Sequence, residues 1–82
     1  HSNYESLIDI IPNPFETSFI VRVSQNLIGS PIFITSLLGE KVYDSTLTAE
    51  NTSIDLGGIS QGLYFVKIHQ AKNIHILKLI RK

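Results

Sequence analysis

The chain has 82 residues, 43% of them hydrophobic and 17% charged, with no cysteine, methionine or tryptophan and a formal net charge of +0. Such a length holds one domain, which buries about 60 to 65% of the surface its unfolded form exposes and is stable by roughly 5 kcal/mol. Without cysteine there is no disulfide framework, thiolate nucleophile or cysteine-based zinc site, and no window approaches the ~18 apolar residues of a membrane-spanning helix.

The sequence opens on His1-Ser2, with no initiator methionine and no charged and apolar leader. This reads as a piece of a longer polypeptide. Residues 1–6 are expected to be a linker or an expression remnant, and residues 7–82 the domain. Leu7 to Ile11 forms a short apolar strand that Pro12-Asn13-Pro14 must end, because proline fixes φ and supplies no N–H. Phe15 is placed to plug the core beneath that turn. Ser18 to Ser24 alternates, with Phe19, Val21 and Val23 on one face and Ile20, Arg22 and Ser24 on the other, the period of a half-buried strand. Gly29-Ser30-Pro31 then interrupts the chain.

Ile32 to Leu37 is a third strand, and Leu38-Gly39-Glu40-Lys41 turns the chain so that Val42 to Leu47 pairs back onto it, with Gly39 at positive φ. Ala49-Glu50-Asn51 connects to a fifth strand, Thr52 to Leu56, followed by Leu63 to His69 and Ile74 to Arg81. Seven short strands at regular spacing with no helical period predict an all-β fold, a small Ig-like antiparallel β-sandwich. In the sixth strand Tyr64, Val66 and Ile68 are assigned to the core and Leu63, Phe65, Lys67 and His69 to the other face. Gly62 stands two residues before Tyr64, as in the tyrosine corner of Greek-key sandwiches, where a buried ring bonds its hydroxyl back to the backbone at the bend.

Few constellations carry chemistry. Gly58-Ile59-Ser60-Gln61-Gly62 matches G-x-S-x-G, but a nucleophile elbow needs a strand before the serine and a helix after it. Here a strand follows, and no acid lies beyond Ser60 to complete a triad. His69 and His75 flank the last hairpin turn and could approach one another, yet two imidazoles without a third ligand make a poor metal site, and surface histidines are the better account. The carboxylates are scattered, which leaves general acid and base catalysis without a seat. Asn51-Thr52-Ser53 matches the N-glycosylation triplet and Asp44-Ser45-Thr46 resembles an O-glycosylation acceptor, both easily met by chance. These readings imply no catalytic residue, no metal, no cofactor and no small-molecule substrate.

The neutral total conceals a polarity. All seven acids precede Ser60, and five of the seven basic residues follow it: Lys67, Lys72, Lys78, Arg81 and Lys82. Either the two halves neutralise each other as neighbouring strands, or a cationic end faces an anionic partner. Those five residues are interleaved with Ile and Leu, and only Tyr64 and Phe65 are nearby aromatics, so no stacking platform for nucleic acid is formed.

Pro12-Asn13-Pro14-Phe15, the turn Leu38-Gly39-Glu40-Lys41-Val42, the corner from Ile54-Asp55-Leu56 to Gly62-Leu63-Tyr64, and the ending Lys78-Leu79-Ile80-Arg81-Lys82 occur in this order. Together they resemble a type A C-terminal sorting domain of the type IX (Por) secretion system, over about Ile8 to Lys82. The resemblance implies a non-enzymatic Ig-like sandwich that ends a larger exported protein of a Gram-negative bacterium and addresses it to an outer-membrane translocon. It implies translocon and shuttle components, a cysteine-peptidase sortase and an N-terminal cargo domain as partners. The route it implies is the periplasm in transit, then the outer membrane and cell surface or the medium.

Matched residue by residue, Pro12, Asn13 and Pro14 fall on the first motif, Gly39 on the central glycine, Asp55, Gly62 and Tyr64 on the third, and Lys78 to Lys82 on the basic end. One departure is Ser36, where the family usually has Asp three residues before the central glycine; a hydroxyl can still cap the turn, with a neutral acceptor. Lys78, Leu79, Ile80, Arg81 and Lys82 are therefore expected to be the segment the translocon recognises, with Lys78, Arg81 and Lys82 in contact and Leu79 anchored in the core. The alternative is an Ig-like or fibronectin-like interaction or carbohydrate-binding module of an adhesin or hydrolase. Against it, the chain has no tryptophan, and Tyr4, Tyr43 and Tyr64 are dispersed.

Overall fold

The computed structural model describes residues 7–82. Seven strands follow in order: β1 (Ile8–Ile11), β2 (Ser18–Val23), β3 (Pro31–Ser36), β4 (Lys41–Thr46), β5 (Asn51–Asp55), β6 (Gly62–Gln70) and β7 (Asn73–Arg81). They form a three-stranded sheet, β1-β2-β5, and a four-stranded sheet, β4-β3-β6-β7, with every neighbouring pair antiparallel. This is the seven-stranded antiparallel sandwich that the strand spacing predicts, with the fourth strand joined to the sheet of β3, β6 and β7.

The two sheets meet because each strand alternates. Phe19, Val21 and Val23 of β2 and Ile54 of β5 face Ile32 and Ile34 of β3, Tyr64, Val66 and Ile68 of β6 and Leu79 of β7, all buried. The connections fill the ends of this core with Phe15, Leu27, Leu47 and Leu56. The rings of Phe15 and Phe19 meet edge-on at 4.7 Å between centroids, the geometry that sets a positive ring edge against a negative face.

Two local features are not visible in the alternation. A single 3-10 turn, Gln25–Leu27, lies between β2 and β3 and drops Leu27 into the core; three residues are too few to show a helical period. In β3 the pairing with β4 shifts between Ile34 and Thr35 while the pairing with β6 stays in register, so Thr35 stands opposite Phe65, buried, with its hydroxyl oxygen without a partner among the described residues.

The hairpins obey their turn chemistry. At β3-β4 the Gly39 amide donates to the Ser36 carbonyl at 3.0 Å and the Ser36 amide to the Glu40 carbonyl at 2.8 Å, with Gly39 at φ 88°. This is a three-residue loop that ends in the left-handed region. The Ser36 hydroxyl accepts the Glu40 amide at 3.2 Å, so serine does cap the turn. At β6-β7, Gln70 pairs with Asn73 across Ala71-Lys72, and Ala71 carries φ 49°. A Cβ disfavours that region by about 1–2 kcal/mol. Ala71→Gly should therefore raise stability in urea denaturation by about 0.5–1 kcal/mol, the gain being trimmed by the greater freedom of glycine in the unfolded chain.

Candidate recognition edge

β7 is the edge strand of the larger sheet, paired along its whole length with β6 from Gly62 opposite Arg81 to Gln70 opposite Asn73. Period two places His75, Leu77, Leu79 and Arg81 toward the core side and Ile74, Ile76, Lys78 and Ile80 on the outer face. Leu79 is fully buried, whereas Ile74, Ile76 and Ile80 are 54%, 59% and 41% exposed. Facing them across the ladder on β6 are His69, Lys67, Phe65 and Leu63. The outer face of this edge is thus aliphatic and cationic at once.

The free side of the strand is closed over its second half by the Pro12–Phe15 segment. Prolines 12 and 14 have no N–H to give, so Asn13 acts through its side chain. Its carboxamide Nδ2 donates to the Lys78 carbonyl at 2.8 Å, and its Oδ1 accepts the Ile80 amide at 3.0 Å. A carboxamide has the donor and acceptor of a peptide group, and here it stands in for one in a strand ladder. Phe15 continues the pairing through its own backbone: its amide donates to the Ile80 carbonyl and its carbonyl accepts the Lys82 amide, both at 2.9 Å. The result is a parallel bridge between Phe15 and Arg81.

The end of β7 is also tied to the β5-β6 loop. Asp55 accepts the Gly57 amide at 3.0 Å, and the Tyr64 hydroxyl donates to the Ser60 carbonyl at 2.6 Å, the tyrosine corner expected from Gly62 and Tyr64. Gly62, at φ 140°, gives the bend a backbone that a side chain would strain. The half-buried Arg81 donates from Nη2 to the Gly57 carbonyl at 2.9 Å and from Nη1 to the Lys82 backbone oxygen at 2.8 Å, while its buried Nε has no partner among the described residues. Arg81 thus braces the loop, and Lys78 and Lys82 are the exposed cations of this segment.

Pro12, Asn13, Pro14, Asp55, Gly62 and Tyr64 therefore converge, directly or through Arg81, on the end of β7. Gly39 stands apart in the β3-β4 turn, at the same end of the sheet, since Ser36 is in register with Tyr64. His69 and His75 do not come together: Ile68 pairs with His75 and His69 with Ile74, so the two imidazoles lie on opposite faces. His75 bonds the Gln70 carboxamide at 2.9 Å and His69 meets the Phe33 ring edge-on.

Neutralisation between the two halves of the chain is not what the structure shows. The ion pairs among the described residues are Arg22–Asp9 at 3.5 Å and Lys41–Asp44 at 2.9 Å, both within the first half, and none of Lys67, Lys72, Lys78, Arg81 and Lys82 meets a carboxylate there. Tyr43 packs against the core and Tyr64 is buried within it, so neither offers a flat platform, and Tyr4 lies outside the described residues. The Gly58–Gly62 match sits in a loop between two strands with β6 after it, not a helix. What sequence reasoning missed is the partner of Asn13, because a contact across 65 residues leaves no mark on local periodicity.

Compared with known proteins, residues 9–82 match a family model described as a secretion system C-terminal sorting domain. The chain is 35% identical over 60 residues to Beta-agarase A of Zobellia galactanivorans, an alignment covering 73% of this chain and 11% of that protein. The chain thus corresponds to about a tenth of that relative's length. Asn13→Ala strips a donor and an acceptor from β7. It should lower stability by about 1–3 kcal/mol and speed hydrogen exchange of the Ile80 amide far more than that of the Val66 amide at the centre of β6.

Proposed function

Because the chain belongs to the family of secretion system C-terminal sorting domains, matched over residues 9–82, we propose that the folded sandwich presents the end of β7 to the machinery that exports its cargo. It is a sorting domain of the type IX system: an address, not a catalytic unit, that directs an attached protein to the outer membrane, the cell surface or the extracellular space. The observation that carries the reading is this match, which takes in both Asn13 and the strand that Asn13 holds.

In this proposal Lys78, Ile80 and Lys82 meet the translocon or its shuttle, because their side chains stand on the outer face or at the exposed end of the strand. Leu79 and Arg81 fix its position, one buried in the core and the other bonded to Gly57. Pro12, Asn13, Pro14, Gly39, Asp55, Gly62 and Tyr64 build the frame. Cations on a fixed surface raise the encounter rate with an acidic partner and make it sensitive to salt.

We place the domain at residues 7–82, with residues 1–6 as linker, since β1 begins at Ile8 and the family match at residue 9. An N-terminal cargo domain would occupy the portion of the parent that corresponds to the unmatched bulk of the agarase relative. A cysteine-peptidase sortase would then cut in the linker, outside the sandwich, where an extended chain can enter a peptidase cleft without unfolding β1.

The test is a fluorescent reporter carrying a periplasmic export signal at its N-terminus and this domain at its C-terminus, in a type IX-competent bacterium and in a translocon-deficient strain. The reporter should reach the surface or medium of the first and stay in the periplasm of the second. Removal of residues 80–82 should keep it in the periplasm of both. Equal release from the two strains would overturn the assignment.

A further inference from the structure

β7 is closed over only half its length. Asn13 and Phe15 bond the Lys78 carbonyl, both backbone groups of Ile80 and the Lys82 amide from the free side. By the two-residue period, Ile74 and Ile76 turn their amides and carbonyls to that same side, where no backbone or side-chain group among the described residues meets them. Their side chains are the exposed aliphatics of the outer face, 54% and 59% accessible. Unpaired backbone and uncovered aliphatic surface coincide on one stretch, from Ile74 to Lys78.

The other edges are protected in recognisable ways. β1 has four residues and runs into Pro12. β4 carries the register shift and the Lys41–Asp44 ion pair. β5 has five residues flanked by Glu50 and ending on Asp55. Shortness, irregularity, proline and charge are the usual means of keeping an edge from pairing. β7 has nine residues and lacks these devices along its first half.

We propose that residues 74–78 are a docking edge to which a partner of the export machinery adds an extended strand that carries both apolar and acidic side chains on the one face it shares with Ile74, Ile76 and Lys78. Its backbone would continue the β4-β3-β6-β7 sheet where the Pro12–Phe15 segment stops. Its apolar side chains would cover Ile74 and Ile76, and its acids would meet Lys67, Lys72 and Lys78, which have no carboxylate partner among the described residues. Strand addition takes affinity from the backbone and selectivity from alternate side chains. A second copy of this chain is disfavoured as occupant, because it would bring one cationic edge against another. The inference rests on the sorting reading and adds a second contact to it, upstream of residues 78–82.

The test uses the reporter fusion in the competent host, with the wild-type fusion showing first that export occurs; if it does not, the sorting reading fails before this one is reached. Ile76→Pro removes an outward N–H that β6 does not use, so the domain should keep its β-sheet circular dichroism while surface delivery falls about tenfold, the equivalent of about 1.4 kcal/mol. Ile76→Val keeps both that N–H and a β-branched aliphatic side chain and should deliver normally. Folded Ile76→Pro that delivers like wild type overturns the proposal. Should Ile76→Pro fail to fold, a photo-cross-linking residue at position 76, compared with one at Ser45 on the β4 edge, decides. Cross-links from 76 and not from 45 to an export component are expected, and none from 76 in exporting cells overturns it.

Discussion

The bonds that join Asn13 and Phe15 to β7 are the constraint on which the rest of the molecule turns. A nine-residue edge strand with isoleucines on its outer face is an aggregation hazard, and the segment that answers it lies 65 to 67 residues away in sequence. Phe15 links the two requirements. Its ring is fully buried against Phe19, which fixes where the segment lies, and its backbone, held in that place, pairs with Ile80 and Lys82. Core packing thus decides the geometry of an exposed edge. Each hydrogen bond contributes only about 0.5–1.5 kcal/mol net, but four acting on one short stretch suffice to give it a single conformation.

Long-range closure has a consequence for timing. The clasp needs the first and last strands together, so it can form only when both sheets are in place, and contacts of such high sequence separation form late and slowly. The end of β7 is consequently well defined only on a finished sandwich. An address with that property distinguishes folded from unfolded copies without any separate device. The Tyr64–Ser60 and Arg81–Gly57 bonds add to this by tying the last residues of β7 to the loop before β6.

Much of this was legible in the residues, and the rest was hidden for identifiable reasons. Alternation in β2 and β6 gave their core faces, Gly39 its left-handed turn, and Gly62 with Tyr64 the corner, because each depends on residues close in sequence. The role of Asn13 was not legible: Pro12-Asn13-Pro14 reads as a strand terminator, which it is, and its pairing with Lys78 and Ile80 is a matter of tertiary placement. Thr35 is buried on the face it shares with Phe65, where alternation predicts an outward position, and the opposite facing of His69 and His75 depends on the pairing of Gln70 with Asn73. The resemblance named the segment 78–82 as a unit, whereas the strand divides it by parity, with Leu79 and Arg81 turned inward and Lys78 and Ile80 outward.

The charge polarity now has a physical reading. The ion pairs present are exposed, with side chains half accessible or more, and such pairs contribute about 0–1 kcal/mol. These pairs therefore stabilise the fold little, and of the late cations, which have no carboxylate partner among the described residues, Arg81 braces the β5-β6 loop through the Gly57 carbonyl while Lys67, Lys72 and Lys78 stand at the β7 edge. Lys67, Lys72 and Lys78 flank the stretch of edge where, among the described residues, backbone and aliphatic surface are both open. Positive charge there opposes pairing between identical copies and favours an acidic partner, so a single feature settles which strands may be added to β7. The boundary at Lys78 then separates a half that the chain closes for itself from a half whose closure depends on another molecule.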